Sequence, residues 1–405
     1  MAKRFYLTAP VLTAAFIVAA PCSKSSKVKQ SPRHMPKIAV DAMGGDRAPQ
    51  VVVEGAALAA QDYGVEIVLV GDKEAIEREL ARQKDAPRLS VAAASQVVPM
   101  YESPSAALRI RDSSMKVGFE LMKRGEVDAV VSAGNSGAMM ALGMLVMGTL
   151  PQVARPAILV VVPSLDKGTV IIDAGANVDC KPHHLVQFGL MGSIYAERIL
   201  AVAEPRVGVL SNGEEEGKGN DLTRAASAQL AATFVNFIGY VEGRDIFNNK
   251  VDVVVCDGFT GNIALKTMEG VASFAGTVLK SAFQKNVSSR MGYWLSRKSL
   301  AEAYRRIDYA EYGGAPLIGL GGVAIIAHGG SNPLAIKNAI RAACDAVDQQ
   351  INRHIADALG EMDGPTEKRE GLPRKLWQRF KSKIESLGDK TEAESHPPER
   401  RRGGD

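Results

Sequence analysis

Between residues 37 and 360 short apolar runs recur, each ending in Gly, Asp, Asn or Ser and each followed by a stretch with helical spacing. The runs predict strands at Lys37–Asp41, Glu66–Val70, Leu89–Ala93, Asp128–Ser132, Ala157–Val162, Thr169–Asp173, Arg206–Leu210, Asp252–Cys256 and Gly322–Ala327. Most are apolar throughout instead of alternating, as parallel strands covered on both faces must be. Strand–helix alternation over this length predicts an α/β fold, a doubly wound three-layer sheet. Ser103 before Pro104 is a cap followed by a first-turn proline, and predicts a helix to about Arg124. Residues 262–310 break the alternation. They predict a long helix, a break near Ser288–Gly292 and a second helix from about Ser296, a helical hairpin inserted into the layers.

The two ends of the chain differ from this middle. Lys3-Arg4, the apolar run Phe5–Pro21 and the small residues Ala19-Ala20 spell an export signal. Pro10 interrupts that run, no cysteine pairing of a secreted chain accompanies it, and Met35 stands just before the first strand, so a start at Met35, with residues 1–35 an over-called or non-functional extension, is preferred over a working export signal. From Glu361 the chain is rich in Pro, Gly and charge, a composition that predicts a mostly disordered tail, 361–405. Within it Leu372, Leu376, Phe380, Ile384 and Leu387 share one helical stripe, with Trp377 alongside and basic residues around. That stripe fits an interfacial membrane helix, a helix packed on the core, or accidental spacing. A catalytic α/β domain is thus expected at 36–360.

Composition narrows the function. Of 405 residues, 46% are hydrophobic and 23% charged, which excludes wholesale disorder. The net charge is +4, but residues 1–35 carry +6 and 361–405 carry +1, leaving −3 on the middle. Nucleic-acid binding, which neutralises phosphates, gains no support. Four scattered cysteines, Cys22, Cys180, Cys256 and Cys344, form no CxxC pair and no Cys/His cluster, so neither a disulfide scaffold nor a metal site is expected.

The candidate chemistry lies where strands end. Six such loops are rich in Gly and small polar residues: 41–46 with Asp41, Gly44 and Gly45; 132–137 with Gly134, Asn135, Ser136 and Gly137; 173–179 with Asn177; 211–220 with Asn212; 257–262 with Asp257, Gly258, Thr260 and Asn262; and 328–332 with His328 and Asn332. Glycine lets backbone approach a ligand, and a helix start offers unpaired N–H groups, so together they suit an anion. Asn, Ser and Thr add neutral donors for an oxyanion or a thioester carbonyl. Any one loop alone reads more readily as a turn than as a site. Parallel strands would bring all six to one sheet edge, which turn geometry alone does not require. Asp41, Asp173 and Asp257 fit turn capping or acid–base work, His328 a backbone-satisfied strand end or a functional site, and Arg155 a phosphate contact or a sheet brace. No P-loop, GxGxxG with a correctly spaced acid, GxSxG or HExxH is present, so no ATP, NAD or other cofactor is expected.

Eight blocks, AVDAMGGD at 39–46, SAGNSGA at 132–138, RPA at 155–157, IDAGANVDC at 172–180, SNGEEEGKG at 211–219, GYVEGRDIF at 239–247, VVVCDGFTGNIALKTMEG at 253–270 and AHGGSN at 327–332, resemble the PlsX-type phosphate acyltransferases. The resemblance covers about 36–360. It implies a fold like that of phosphotransacetylases and isocitrate-type dehydrogenases. It also implies transfer of an acyl group from acyl carrier protein (ACP) to inorganic phosphate, feeding bacterial phospholipid biosynthesis. A cytoplasmic homodimer peripherally associated with membrane is expected with it.

That chemistry needs neither a covalent nucleophile nor a metal. Phosphate is already an anion near neutral pH, and a thiol of pKa about 8.5 is a tolerable leaving group. The expected mechanism is direct attack, with phosphate at Asn135-Ser136-Gly137 and with Asn262 or the His328–Asn332 loop holding carbonyl and phosphate. Removal of Asn135 or Ser136 is expected to cost turnover but little stability. Three rivals stand beside it: a phosphotransacetylase-like enzyme using acyl-CoA, an isocitrate-type dehydrogenase, and a non-enzymatic membrane-docked scaffold. At the hairpin, Met291, Tyr293, Trp294 and Leu295 among Lys285, Arg290, Arg297 and Lys298 suit a bilayer surface or a second subunit.

Overall fold

The computed structural model describes residues 35–83, 89–165, 167–307 and 313–363. The apolar run 5–21 and the stripe 372–387 lie outside them. In chain order the first half holds β1 (Lys37–Asp41), α1 (Gln50–Tyr63), β2 (Glu66–Gly71), α2 (Lys73–Leu80), β3 (Leu89–Ala93), α3 (Pro104–Ala107), α4 (Ser114–Lys123), β4 (Ala129–Ser132) and α5 (Ser136–Met147). Next come β5 (Ala157–Val162), β6 (Thr169–Ile172), α6 (Pro182–Arg198), β7 (Arg206–Leu210), α7 (Asp221–Ala231), β8 (Asn236–Val241) and β9 (Val253–Val255). The chain continues through α8 (Gly258–Gln284), α9 (Val287–Ile307), β10 (Ala315–Ile318), β11 (Val323–Ile326), α10 (Pro333–Asp348) and α11 (Ile351–Asp363).

One sheet of eleven strands carries the fold, in the order β3-β2-β1-β4-β11-β10-β5-β6-β9-β7-β8. Alternate side chains of each strand enter different cores. Ile38 and Val40 pack with Ile67, Leu69, Val131 and Ile325 against α1 and α10, whereas Ala39, Val68 and Val130 face Met115, Phe119 and Leu142 of α4 and α5. In the other half Ile172, Val209 and Val255 meet Phe188 and Met191 of α6, while Ile171 and Val254 face a smaller cluster that Leu265 and Met268 of α8 cover. Apolar side chains on both faces of these strands explain the unbroken apolar runs.

Strand direction departs from the sequence-based expectation. β1, β2, β3, β4 and β11 are mutually parallel, but β10 is antiparallel to both β11 and β5, and β5 is antiparallel to β6. β9, β7 and β8 then follow β6 in parallel. The sheet is therefore mixed, and the strands of its two halves run in opposite directions. The six polar loops do not converge on one edge. Those after β1, β4 and β11 leave one edge, and those after β6, β7 and β9 leave the other.

Two helical expectations are also corrected. The stretch 103–124 is two helices, because Ser113 supplies a second cap: its hydroxyl accepts the Lys116 N–H and opens α4. The hairpin breaks at Lys285-Asn286, not at 288–292, because the Asn286 side-chain oxygen Oδ1 accepts the Ser289 N–H at 2.8 Å and restarts the helix. Beyond Gly261 no residue of α8 is buried. Phe274, Val278, Leu279, Met291, Trp294 and Leu295 are exposed, Phe283 and Tyr293 meet ring to ring, and Arg297 lies over Trp294.

Candidate active site

Four of the six site loops end in a residue whose side chain caps the next helix. Asn135 caps α5, Asn220 caps α7, Asp257 caps α8 and Asn332 caps α10, each accepting from a backbone N–H in the first turn. A strand followed by glycines and then Asn or Asp folds this way because the cap satisfies donors the helix leaves unpaired.

At the first edge Asp41 of β1 pairs with Ser132 of β4, so the two loops leave side by side. The buried Asp41 carboxylate accepts the Ser132 hydroxyl at 2.6 Å and the Met43 N–H at 3.2 Å, and Ser132 Oγ accepts the Gly134 N–H at 3.0 Å. Burial raises the Asp41 pKa against the opposing pull of its hydrogen bonds from Ser114, Ser132 and the backbone. Gly44 cannot carry a side chain: a Cβ would stand 2.7 Å from both Asp41 Oδ2 and Gly134 N. Asn135 is fully engaged. Its amide nitrogen donates to the Met100 and Glu102 carbonyls, each at 2.8 Å, and its oxygen accepts the Ala138 N–H at 2.9 Å. Its side chain is thus committed to holding the loop to Met100 and Glu102 and to capping α5. Gly137 is packed against Pro104. His328 Nδ1 accepts the Gly330 N–H, Asn332 caps α10, and Arg47 donates to the Ser331 carbonyl at 2.8 Å, tying the first loop to the last. Ser136 is exposed, and its hydroxyl makes no hydrogen bond with a described residue.

The opposite edge is arranged differently. Ile172 pairs with Val255 and Val255 with Val209, so three loops start within about two strand spacings, roughly 10 Å. Asp173 lies fully buried at their centre. One carboxylate oxygen accepts the N–H groups of Ile158, Gly175 and Ala176, and the other accepts the backbone and side-chain N–H groups of Asn177. Burial raises its pKa while the hydrogen bonds from Gly175, Ala176 and Asn177 pull the other way. Asn177 also donates to the Pro156 carbonyl at 2.8 Å, and its own side-chain oxygen is buried without a partner. Gly258 closes the floor: its N–H donates to Asn177 O at 2.7 Å, and a Cβ there would meet Asn177 N at the same distance. Asp257 takes both the N–H and the hydroxyl of Thr260 at 2.8 Å.

Around this rigid floor several polar groups remain unengaged. Arg155 is exposed, and its guanidinium makes no hydrogen bond or ion pair with a described residue. Its charge acts on Cys180 and His184. Asn262, exposed on the first turn of α8, holds its amide over Gly175. Lys218, in the third loop, has only a 3.9 Å contact with Glu215 of the same loop. Asn212 keeps that loop closed by accepting the Gly219 N–H at 2.9 Å. Sequence reasoning missed Lys218 and Arg47. A lysine between two glycines at a strand end was the available signal for the first, and nothing local marked the second.

The neighbouring thiols are held in their neutral form. Burial, with Asp173 and Asp257 nearby, pushes the Cys180 thiol up to about 11, and burial lifts Cys256 well above the ordinary range. A neutral thiol is a poor nucleophile. His184 is kept neutral, its pKa lowered to about 4 by burial and by His183, Arg155 and Lys181; its Nδ1 accepts the Lys181 N–H. Among the described residues no three His, Cys, Asp or Glu side chains group closely enough to hold a metal ion.

Comparison with known proteins bears on this arrangement. Residues 36–354 match the family described as "Fatty acid synthesis protein". The chain is 52% identical over 341 residues to a phosphate acyltransferase of Citrifermentans bemidjiense, covering 83% of this chain and 97% of that protein. It is 53% identical over 339 residues to the phosphate acyltransferase of a Geobacter species (strain M21), covering 83% and 96%. In three dimensions it resembles a phosphotransacetylase from Streptococcus pyogenes, with a TM-score of 0.54 at 16% identity, over 78% of this chain and 94% of that one. That last likeness is one of fold.

Proposed function

The chain belongs to the phosphate acyltransferase family, and from that premise we propose that it moves the acyl group of acyl-ACP onto inorganic phosphate, giving acyl phosphate and the free carrier thiol. The observation that carries this reading is the 52% identity extending over 97% of a phosphate acyltransferase. The catalytic unit is 36–360, with 1–35 an extension and 361–405 a charged tail.

We place the reaction at the edge of β6, β7 and β9. Phosphate near neutral pH is a diffusible monoanion or dianion in need of cationic partners, and Arg155 and Lys218 are cations there with few competing contacts. A phosphate oxygen attacks the thioester carbonyl carbon. The tetrahedral oxyanion takes a hydrogen bond from the Asn262 amide, the C–S bond breaks, and the departing thiolate takes up a proton from solvent. Donors fixed before reaction stabilise the oxyanion with little reorganisation. The floor of Asp173, Asn177, Asp257, Gly258 and Thr260 supplies that rigidity. At the other edge, Asp41, Asn135, His328 and Asn332 serve loop closure in this reading, and the hydroxyls of Ser136, exposed, and Ser331, buried, are left without a partner among the described residues.

Acyl phosphate so formed would feed bacterial phospholipid biosynthesis in the cytoplasm. The exposed apolar residues of α8 and α9, with cations beside them, support a homodimer contact and peripheral association with membrane. No helix of the described residues is long and apolar enough to cross a membrane. The second reading, an acyl-CoA-dependent phosphotransacetylase, is favoured by the fold likeness alone. Side-by-side assays separate them: acyl-ACP should be consumed at least tenfold more efficiently than acyl-CoA of the same chain, and the reverse preference would favour the second reading.

A further inference from the structure

Loop 211–220 is held from several sides. At its neck Asn212 accepts the Gly219 N–H, and Arg224 of α7 donates to the Gly219 carbonyl at 2.6 Å. Its far side rests on one carboxylate. Glu214 Oε2 lies 2.6 Å from the Lys250 ammonium, and its Oε1 lies 3.8 Å from Arg244. Both cations belong to the turn between β8 and β9, and that turn is itself fixed. Asp245, buried, accepts the Glu242 N–H and the Asn248 amide and sits 3.6 Å from Lys250, while Arg244 pairs with Glu242 at 2.9 Å. Burial works against the charge of Asp245, yet these donors and Lys250 hold its pKa below the usual carboxylate range. The network thus joins a buried, ionised anchor to an otherwise exposed loop.

We infer that Glu214 is a positioning residue for acyl transfer: through Lys250 and Arg244 it fixes the loop that presents Lys218 to the phosphate. This rests on the placement of the reaction at that edge. Exposed ion pairs contribute little to global stability, so a network of this kind matters for where the loop sits and hardly for whether the chain folds. Lys218 lies four residues beyond Glu214, near enough for a displaced loop to move its ammonium out of reach of a bound anion. Glu214 touches no reacting atom in this arrangement.

Glu214→Gln and Lys250→Gln should each raise KM for inorganic phosphate about tenfold, with KM for acyl-ACP unchanged. The double variant should be no worse than the weaker single variant, because both remove one link. Lys250→Arg, which keeps the cation, should stay within threefold of wild type. Hydrogen exchange gives a readout apart from activity: the Gly219 amide should lose protection in Glu214→Gln and keep it in Lys250→Arg. Unchanged KM for phosphate, additive effects or unchanged Gly219 protection would each overturn the inference. Failure of the wild type to form acyl phosphate would strike the proposed reaction instead, and the exchange result would still stand or fall alone.

Discussion

The side-chain amide of Asn177 and its own backbone N–H both donate to the same carboxylate oxygen of Asp173, at 2.9 and 2.6 Å. Asp173 is thereby the hub of a buried turn, and Asn177 passes the connection to Pro156, the residue after Arg155. Asp173→Asn would set an NH₂ group against several backbone donors. Each buried group left unpaired costs about 1–3 kcal/mol. The variant should lose about 3 kcal/mol or more of stability, read as the midpoint of denaturant unfolding. A loss below about 1 kcal/mol would show that the turn does not depend on the carboxylate.

Arg155 and Asn262 should behave in the opposite way. Both are exposed and neither holds other residues in place. Asn262→Ala should lower kcat by about 10²–10³, the usual cost of one oxyanion donor, with unfolding shifted by less than about 0.5 kcal/mol. Arg155→Ala should act mainly on KM for phosphate. If both variants keep wild-type kinetics, the reaction does not take place at this edge.

Asn135 separates the two edges. Its three hydrogen bonds join α5 to the segment at Met100–Glu102, so Asn135→Ala should cost about 1–3 kcal/mol of stability. Ser136→Ala should change neither stability nor turnover by more than about twofold. A large loss of turnover from Ser136→Ala in a fully stable protein would return the chemistry to the first edge.

Much of this was legible beforehand, for identifiable reasons. The apolar runs marked nine strands because burial on both faces leaves no polar positions, and the Gly- and Asn-rich stretches marked the loops that follow them. Two strands were missed. β8 (Asn236–Val241) is interrupted by Gly239, and β10 (Ala315–Ile318) holds Pro316 between glycines, the composition of a turn. The loss of β10 mattered most. It is the short antiparallel strand between β11 and β5, and strand direction leaves no trace in a hydrophobic pattern. Without it six loops seemed to share one edge. The loop residues were legible as a set, but the division between engaged and unengaged side chains was not. Asn135 and Asn262 look alike in sequence, and only the carbonyls of Met100 and Glu102, more than thirty residues away, distinguish them.

Cys180 gives a pH-dependent check. With its pKa near 11, about one thiol in a thousand is ionised at pH 8. Alkylation by iodoacetamide should therefore be slow at neutral pH and accelerate about tenfold per pH unit toward 11. Cys180→Ser should retain turnover within about threefold. Rapid alkylation at pH 7 that abolishes activity would point to a thiolate nucleophile.

Direct attack by phosphate is tested by a single-turnover reaction with excess purified protein and acyl-ACP, quenched with and without inorganic phosphate. With phosphate, acyl phosphate and free carrier thiol should appear in equal amounts and at the same rate. Without phosphate, the carrier should stay acylated and no acyl group should appear on the protein. Release of carrier thiol in the absence of phosphate, with the acyl group trapped on the chain, would contradict direct attack and require a covalent route.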